Sequence, residues 1–255
     1  MSFILGLLLL CAGASVVAAD FHKCSIIPGR LKQVDVSDGE VYGVNDEQRV
    51  YRMVDDQWQE LPGRFIHVTV GPAGVWAVTE ENHIYTLQDD QWEIKSGLLK
   101  QLDAGGDKFL VGVNAEDSIY CLSPSMTMST SSDVTYDTVD GALKYYSCGP
   151  LGCWGVNSEE KIYYRSNVSP LSCQGSDWQP IEGSLVMVEV SRDGSVYGVN
   201  SSGDVYRRDG ISVRSPAGTS WSPMGFCTTF KHVSHDGDYL WLISKCGEIY
   251  KCLAV

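Results

Sequence analysis

The sequence predicts an all-β fold: a six-bladed β-propeller with four antiparallel strands per blade, its N-terminal strand completing the last blade. Three observations carry the prediction. A five-residue motif recurs six times, a fixed order of short strands and turns keeps step with it, and the two ends of the chain complement one another. A β-rich unit at a period of roughly 35–45 residues is the pattern of a propeller blade. Helical periodicity is absent.

The elements of one repeat follow in chain order. Each opens on an alternating strand: L-K-Q-V-D-V from Leu31, F-I-H-V-T-V from Phe65, L-K-Q-L-D-A from Leu99, L-K-Y-Y-S-C from Leu143, L-V-M-V-E-V from Leu185 and F-K-H-V-S-H from Phe230. A Gly-, Asp- or Pro-bearing tight turn comes next, supplying the backbone a hairpin needs. The second strand holds the motif: V-Y-G-V-N at Val41–Asn45, V-W-A-V-T at Val75–Thr79, L-V-G-V-N at Leu110–Asn114, C-W-G-V-N at Cys153–Asn157, V-Y-G-V-N at Val196–Asn200 and L-W-L-I-S at Leu240–Ser244. Measured at its second residue, the steps are 34, 35, 43, 43 and 44. An acidic turn leads to a third strand of the form V/I-Y, beginning at Val50, Ile84, Ile119, Ile162, Val205 and Ile249. A fourth short segment carries Trp58, Trp92, Trp178 or Trp221, with Tyr136 as the weaker match. Strands rich in Val, Ile, Tyr and Trp between turn residues fit a pleated, half-buried surface. The later repeats are longer because the loop between third and fourth strands grows, which leaves the blade itself intact.

The ends close the argument. The last repeat stops after I-Y-K-C-L-A-V and lacks a fourth strand, while H-K-C-S-I-I-P-G aligns with W-Q-E-L-P-G at Trp58–Gly63. The N-terminal segment is therefore expected to supply the missing strand and remove the open sheet edge. Before it, residues 1–19 read as a secretory signal peptide: an apolar run from Phe3 to Leu10, small residues, then Val17-Ala18-Ala19. Residues 20–255 read as one propeller domain. No later stretch approaches ~18 apolar residues, so no membrane span is expected and the mature chain is expected to be extracellular.

Cysteine usage agrees with that compartment. Of nine cysteines, Cys11 leaves with the signal, and an even set remains. In the alignment of the ends, Cys24 takes the place of Trp58 and Cys252 that of Met53, so they should face each other across a hairpin and staple the ring. Cys148 and Cys153 flank a single tight turn and should bridge it. Antiparallel order puts first-to-second and third-to-fourth connections on one rim, and second-to-third turns with blade junctions on the other. On that rule Cys227 pairs with Cys246 and Cys121 with Cys173.

The charge balance is −13, which argues against nucleic acid, whose binding rests on phosphate neutralisation, and against an anionic membrane as the main partner. Enzyme readings find little support. His232 and His235 lie three apart on a strand and point to opposite faces, and no motif for nucleophilic or metal hydrolysis stands in a usable context. Asp46, Glu47, Glu80, Glu81, Glu116, Asp117, Glu159 and Glu160 share one rim as an anionic crown. Its plain reading is a solubilising face; its sharper one is a weak Ca²⁺ site at Asp46, Glu47, Glu80, Glu81, Glu116 and Asp117. No cofactor is required by the fold. Asn200 and Asn167 begin N-glycan sequons on expected loops.

Repeated aromatics beside repeated polar turns also suit sugar binding, because an aromatic face stacks on a pyranose while amides and carboxylates take its hydroxyls. The strand-two aromatics with their turn asparagines are the candidates: Tyr42, Asn45, Trp76, Asn114, Trp154, Asn157, Tyr197, Asn200 and Trp241. The structural reading comes first for both: the aromatics as packing between blades and the Asn side chains as turn formers.

The repeated V-W-G-V-N and I-Y-x-R/C motifs, the L-K-Q-V-D strands and S-C-G-P-x-x-C-W-G-V-N resemble the tectonin-type β-propeller lectins over the whole mature chain. The resemblance implies a secreted, multivalent lectin for N-acetylglucosamine-type sugars and bacterial lipopolysaccharide, with a role in egg protection or innate defence. Egg glycoproteins and a homodimer partner belong to the same expectation. The alternative is an extracellular propeller scaffold that binds proteins without sugar.

Overall fold

A computed structural model describes residues 23–254. The expected leader and its cleavage site therefore lie outside the described residues. Six four-stranded antiparallel sheets stand around one axis. Their innermost strands are Gln33–Ser37, His67–Gly71, Gln101–Asp103, Tyr145–Gly149, Met187–Val190 and Phe230–Asp236. Blades one to five run in simple chain order, from inner to outer strand. Blade six takes its outer strand from Cys24–Ile27, which pairs with Ile249–Leu253 in the register Cys24↔Cys252 to Ile27↔Ile249. The expected ring closure is thus present, and Cys24–Cys252 joins directly opposed residues. Cys148–Cys153 and Cys121–Cys173 also form.

The fourth expected bridge does not form. Cys227 and Cys246 are both free and exposed. The chain between Gly203 and Lys245 is instead secured by backbone bonds from Phe230 N to Gly203 O (2.8 Å) and from Lys245 N to Thr229 O (3.0 Å). Phe226 packs on Phe230 at 5.2 Å, and Cys227, next along the chain, is left in solvent.

The junctions between blades are nearly identical. The N–H of the residue opening each repeat (Leu31, Phe65, Leu99, Leu143, Leu185, Phe230) donates to a second-to-third turn carbonyl of the preceding blade, at 2.8–3.1 Å. The sixth of these, Leu31 N to Gly247 O, is indistinguishable from the other five, so blades six and one meet as any pair does. Between the blades the two sheet faces bury a continuous apolar layer of Val, Leu, Ile and aromatic side chains. Backbones approach closely there: a Cβ on Gly105 would sit 2.5 Å from the Cys148 carbonyl oxygen.

A polar belt ties the inner strands to one another. One inner position reads Asp35, Thr69, Asp103, Ser147, Glu189 and Ser234 around the ring, alternating carboxylate and hydroxyl. Asp35 accepts from Val70 N (2.7 Å), Thr69 from Ala104 N (2.9 Å), Asp103 from Cys148 N (2.9 Å), Ser147 from Val190 N (2.9 Å) and Ser234 from Val36 N (3.1 Å). Each of these bonds crosses to the next blade. Two residues earlier, Gln33 and Gln101 each clamp a neighbouring backbone residue, Val68 and Tyr146, through both amide atoms. Backbone groups at a strand edge must be satisfied, and here the side chains of the adjoining blade do it.

Candidate functional site

The second-to-third turns dictate their own geometry. The Oδ1 of Asn45, Asn114 and Asn157 accepts the N–H groups two and four residues on, and Asn200 accepts those of Gly203 and Asp204. These are Asx turns, and they spend the amide oxygen on the backbone. Thr79 and Ser244 do the same with a hydroxyl toward His83 N and Glu248 N.

The strand-two aromatics named from the sequence are not available to a ligand. Tyr42, Trp76, Trp154, Tyr197 and Trp241 are all buried, at 0–5 % exposure. Second strands are covered on both faces by neighbouring blades, so these rings pack inward: Trp154 on Trp221 at 5.8 Å, Trp241 on Trp58 at 6.5 Å. Sugar stacking on them is corrected by that burial. The half-open repeated aromatics are the third-strand tyrosines, such as Tyr51 and Tyr120, and the rings of the outermost segment: Trp58, Trp92, Tyr136, Trp178 and Trp221.

These outer rings share a setting. The indole N–H of Trp58, Trp92 and Trp221 and the hydroxyl of Tyr136 are shielded from solvent yet have no hydrogen-bond partner among the described residues. Trp178 Nε1 alone donates, to Asp140 O at 2.8 Å. A glycine of the preceding blade lies against four of the rings: Gly29 on Trp58, Gly97 on Tyr136, Gly141 on Trp178 and Gly183 on Trp221. At Gly97, with φ +101°, an added Cβ would lie 2.8 Å from Tyr136 Cε2. Only glycine serves there on both conformational and steric grounds.

Between blades two and three this arrangement opens into a groove of about 400 Å³, lined by Asn82, Gly97, Leu98, Asn114, Glu116, Tyr120 and Tyr136 among others. The Tyr120 and Tyr136 rings meet edge to face at 6.4 Å, and Leu98 is 56 % exposed at the mouth. Tyr51, Trp58 and Asn45 provide the same parts between blades six and one. Tyr163, Trp178 and Asn157 do so between three and four, and Tyr206, Trp221 and Asn200 between four and five. Two junctions differ. Phe65, in the place of Leu99, stacks on Trp92 (4.5 Å) and Tyr85 (5.5 Å). At blade six Cys24 replaces the outer aromatic, and Phe230 packs on Tyr250 at 5.4 Å.

Electrostatics separate the grooves from the axis. Many crown carboxylates are paired: Glu47 with Arg49 (2.9 Å), Asp117 with Lys100, and Glu159 with Lys161 (2.6 Å). The crown residues do not gather into a cation cage. The one group of three ligand atoms lying within 4.8 Å among the described residues is Cys121, Asp137 and Cys173, and its two sulfurs are joined to each other. Of the sequon asparagines, Asn167 is exposed on its loop, whereas Asn200 holds its turn through both amide atoms.

At the axis, three carboxylates converge that the sequence reading did not see: Asp35, Asp103 and Glu189, 4–6 % exposed. Burial pushes Asp35 up to about 6. Burial and the neighbouring Asp35 raise Asp103, and burial with both aspartates holds Glu189 well above the carboxylate range. Tyr145 crosses the axis. Its hydroxyl lies 3.0 Å from His232 Nε2 and donates to Glu189 Oε2 at 3.5 Å, while its ring meets His67 at 6.0 Å. Burial holds His67 near 4 and His232 near 3, so both are neutral. These carboxylates are enclosed: Asp35 and Asp103 serve the belt, and Glu189 accepts from Tyr145.

Comparison with known proteins adds three findings. The family described as Tectonin domain matches residues 30–245. Fish-egg lectin of Cyprinus carpio is 52 % identical over 176 residues, covering 68 % of this chain and 74 % of that protein. Among solved structures, virginiamycin B lyase from Staphylococcus aureus superposes with a TM-score of 0.58 at 15 % identity, over 86 % of this chain and 78 % of that one. YCF48 from Cyanidioschyzon merolae gives 0.57 at 14 %, over 86 % and 81 %. At such identities the likeness is one of fold.

Proposed function

The chain belongs to the tectonin family, and from that premise we propose that it is a non-enzymatic, multivalent lectin whose sugars bind in the grooves between blades, on the rim of the second-to-third turns. The ligand class we infer is N-acetylglucosamine-type sugars, including those of bacterial lipopolysaccharide, met outside the cell in a defensive or egg-protective role. The likeness to a fish-egg lectin supports both the activity and the setting.

One observation carries the location: a shielded, unpartnered aromatic donor recurs at Trp58, Tyr136 and Trp221, on three of the junctions that a leucine rather than Phe65 or Phe230 opens. Leaving such a donor unsatisfied costs roughly 1–3 kcal/mol. A ligand hydroxyl or acetamido carbonyl that accepts from it recovers that cost. The apolar face of a pyranose would lie against the Tyr ring and Leu98, while Glu116 takes ring hydroxyls. The groove over Leu99 is open, Leu31, Leu143 and Leu185 stand in the same place at three further junctions, and Phe65 and Phe230 fill theirs. Several equivalent grooves on one rim give avidity toward repetitive glycan surfaces without any single tight site.

Tyr136→Phe tests the reading. It removes a hydroxyl that has no protein partner, so thermal stability should hold while N-acetylglucosamine titrated by NMR loses roughly tenfold affinity at that groove. Unchanged sugar affinity, with chemical shifts mapping elsewhere, would move the site off the grooves.

A further inference from the structure

The rim opposite the grooves carries three long loops, residues 123–136, 166–177 and 210–219, on blades three, four and five. A buried cation anchors each. Lys95 Nζ donates to the carbonyls of Ser129 (3.0 Å) and Ser131 (2.9 Å), Arg165 Nε to Gln174 O (2.9 Å) and Arg208 Nε to Ala217 O (2.9 Å). The Cys121–Cys173 bridge fastens the second loop to blade three. The second and third loops end in tight turns closed by reciprocal backbone bonds, Ser169 with Ser172 and Ser212 with Ser215, at 3.0–3.1 Å. Burying a cation is costly unless its donors are used, and here, Arg165 Nη1 apart, they hold the loops in place.

What the loops hold up is apolar. Leu171 is 100 % exposed, Val213 84 % and Met128 67 %, the three most exposed large apolar side chains among the described residues. The loops are also poor in charge. Each carries a single charged residue, Asp133, Asp177 and Arg214 in turn, and of these only Arg214 lies next to an exposed apolar tip, in a chain of net charge −13.

We propose that this rim docks on a zwitterionic lipid bilayer, with Met128, Leu171 and Val213 as insertion anchors. Three separated side chains offer far less than the ~800 Å² per partner that a stable interface with a second copy or another protein buries. None of the three is aromatic, as the anchors of protein interfaces tend to be. A bilayer needs no shape complement and accepts separate anchors, and the Ser- and Thr-rich collars below the tips suit the hydrated headgroup layer. The acidic body is repelled by anionic lipid, while the near-neutral loops meet a zwitterionic surface without that penalty. The proposal stands apart from the sugar reading, since it uses the other rim.

Flotation of the full chain with phosphatidylcholine vesicles tests it. The native chain should float, and Leu171→Ser with Val213→Ser should weaken partition by roughly a hundredfold, with an unchanged thermal midpoint showing that the variant is folded. The proposal is overturned if the native chain stays with the unbound protein, or if the double variant floats equally well. It is also overturned if sedimentation shows that the substitutions alter self-association instead.

Discussion

Glu189→Gln should make the ring more stable at alkaline pH and blunt its dependence on pH. Asp35, Asp103 and Glu189 lie buried at the axis, and each bears a folded-state pKa above its unfolded value. A carboxyl shifted in that direction contributes stability that is present below the unfolded pKa and lost as pH rises through the folded one. For Asp35, moved from 3.8 to about 6, the loss is about 3 kcal/mol at ~1.4 kcal/mol per pH unit. In a chain of this size that is a fall in Tm of roughly 6–12 °C. Gln at 189 keeps an amide where a protonated acid stands and removes that carboxyl's own loss of stability on ionisation, while the fall due to Asp35, set by its burial, remains. Thermal unfolding followed by tryptophan fluorescence from about pH 4 to about pH 8, in salt high enough to screen the exposed acids, gives the readout. A native Tm that stays level or rises over that range, or a variant that traces the native curve, refutes the reasoning.

The disulfides should contribute unequally. Cys24–Cys252 closes 228 residues and Cys148–Cys153 only 5, so loop entropy gives roughly 5 against about 2 kcal/mol; Cys→Ser pairs compared by denaturant melts should rank in that order. Asn157→Ala removes an acceptor used by Glu159 N and Lys161 N and should cost about 1 kcal/mol in the same assay. Sugar binding should survive EDTA, because the grooves gather no set of carboxylates; loss of binding on chelation, restored by Ca²⁺, would contradict this.

The blades were legible because the V-Y-G-V-N strand and its turn repeat as one unit, and because Cys24 and Cys252 occupy places that face each other across a hairpin. The choice of ligand-facing aromatic was not legible. Trp76 and Trp92 recur with the same period and belong to the same repeat, and only the stacking of one blade on the next decides that Trp76 is enclosed and Trp92 half-open. The signal that could have helped was the glycine closing each repeat, at Gly29, Gly97, Gly141 and Gly183, placed where the next blade's outer ring needs room. The axial carboxylates escaped because Asp35, Asp103 and Glu189 are 68 and 86 residues apart in turn and look like ordinary strand acids. Cys227 and Cys246 share a rim, as read, but the junction loop that carries Phe226 inward leaves Cys227 in solvent.

The alternation of acid and hydroxyl in the inner belt bears on how such a ring can be inherited. Ser147 donates to Asp103 and Ser234 to Asp35 across blade boundaries, and acid and hydroxyl alternate along the ring, so the smallest unit that can be copied with this order kept is two blades. Gain or loss of a single blade would bring two carboxylates, or two hydroxyls, side by side at one junction. A ring with an odd number of blades could not carry this alternation all the way round without one such break.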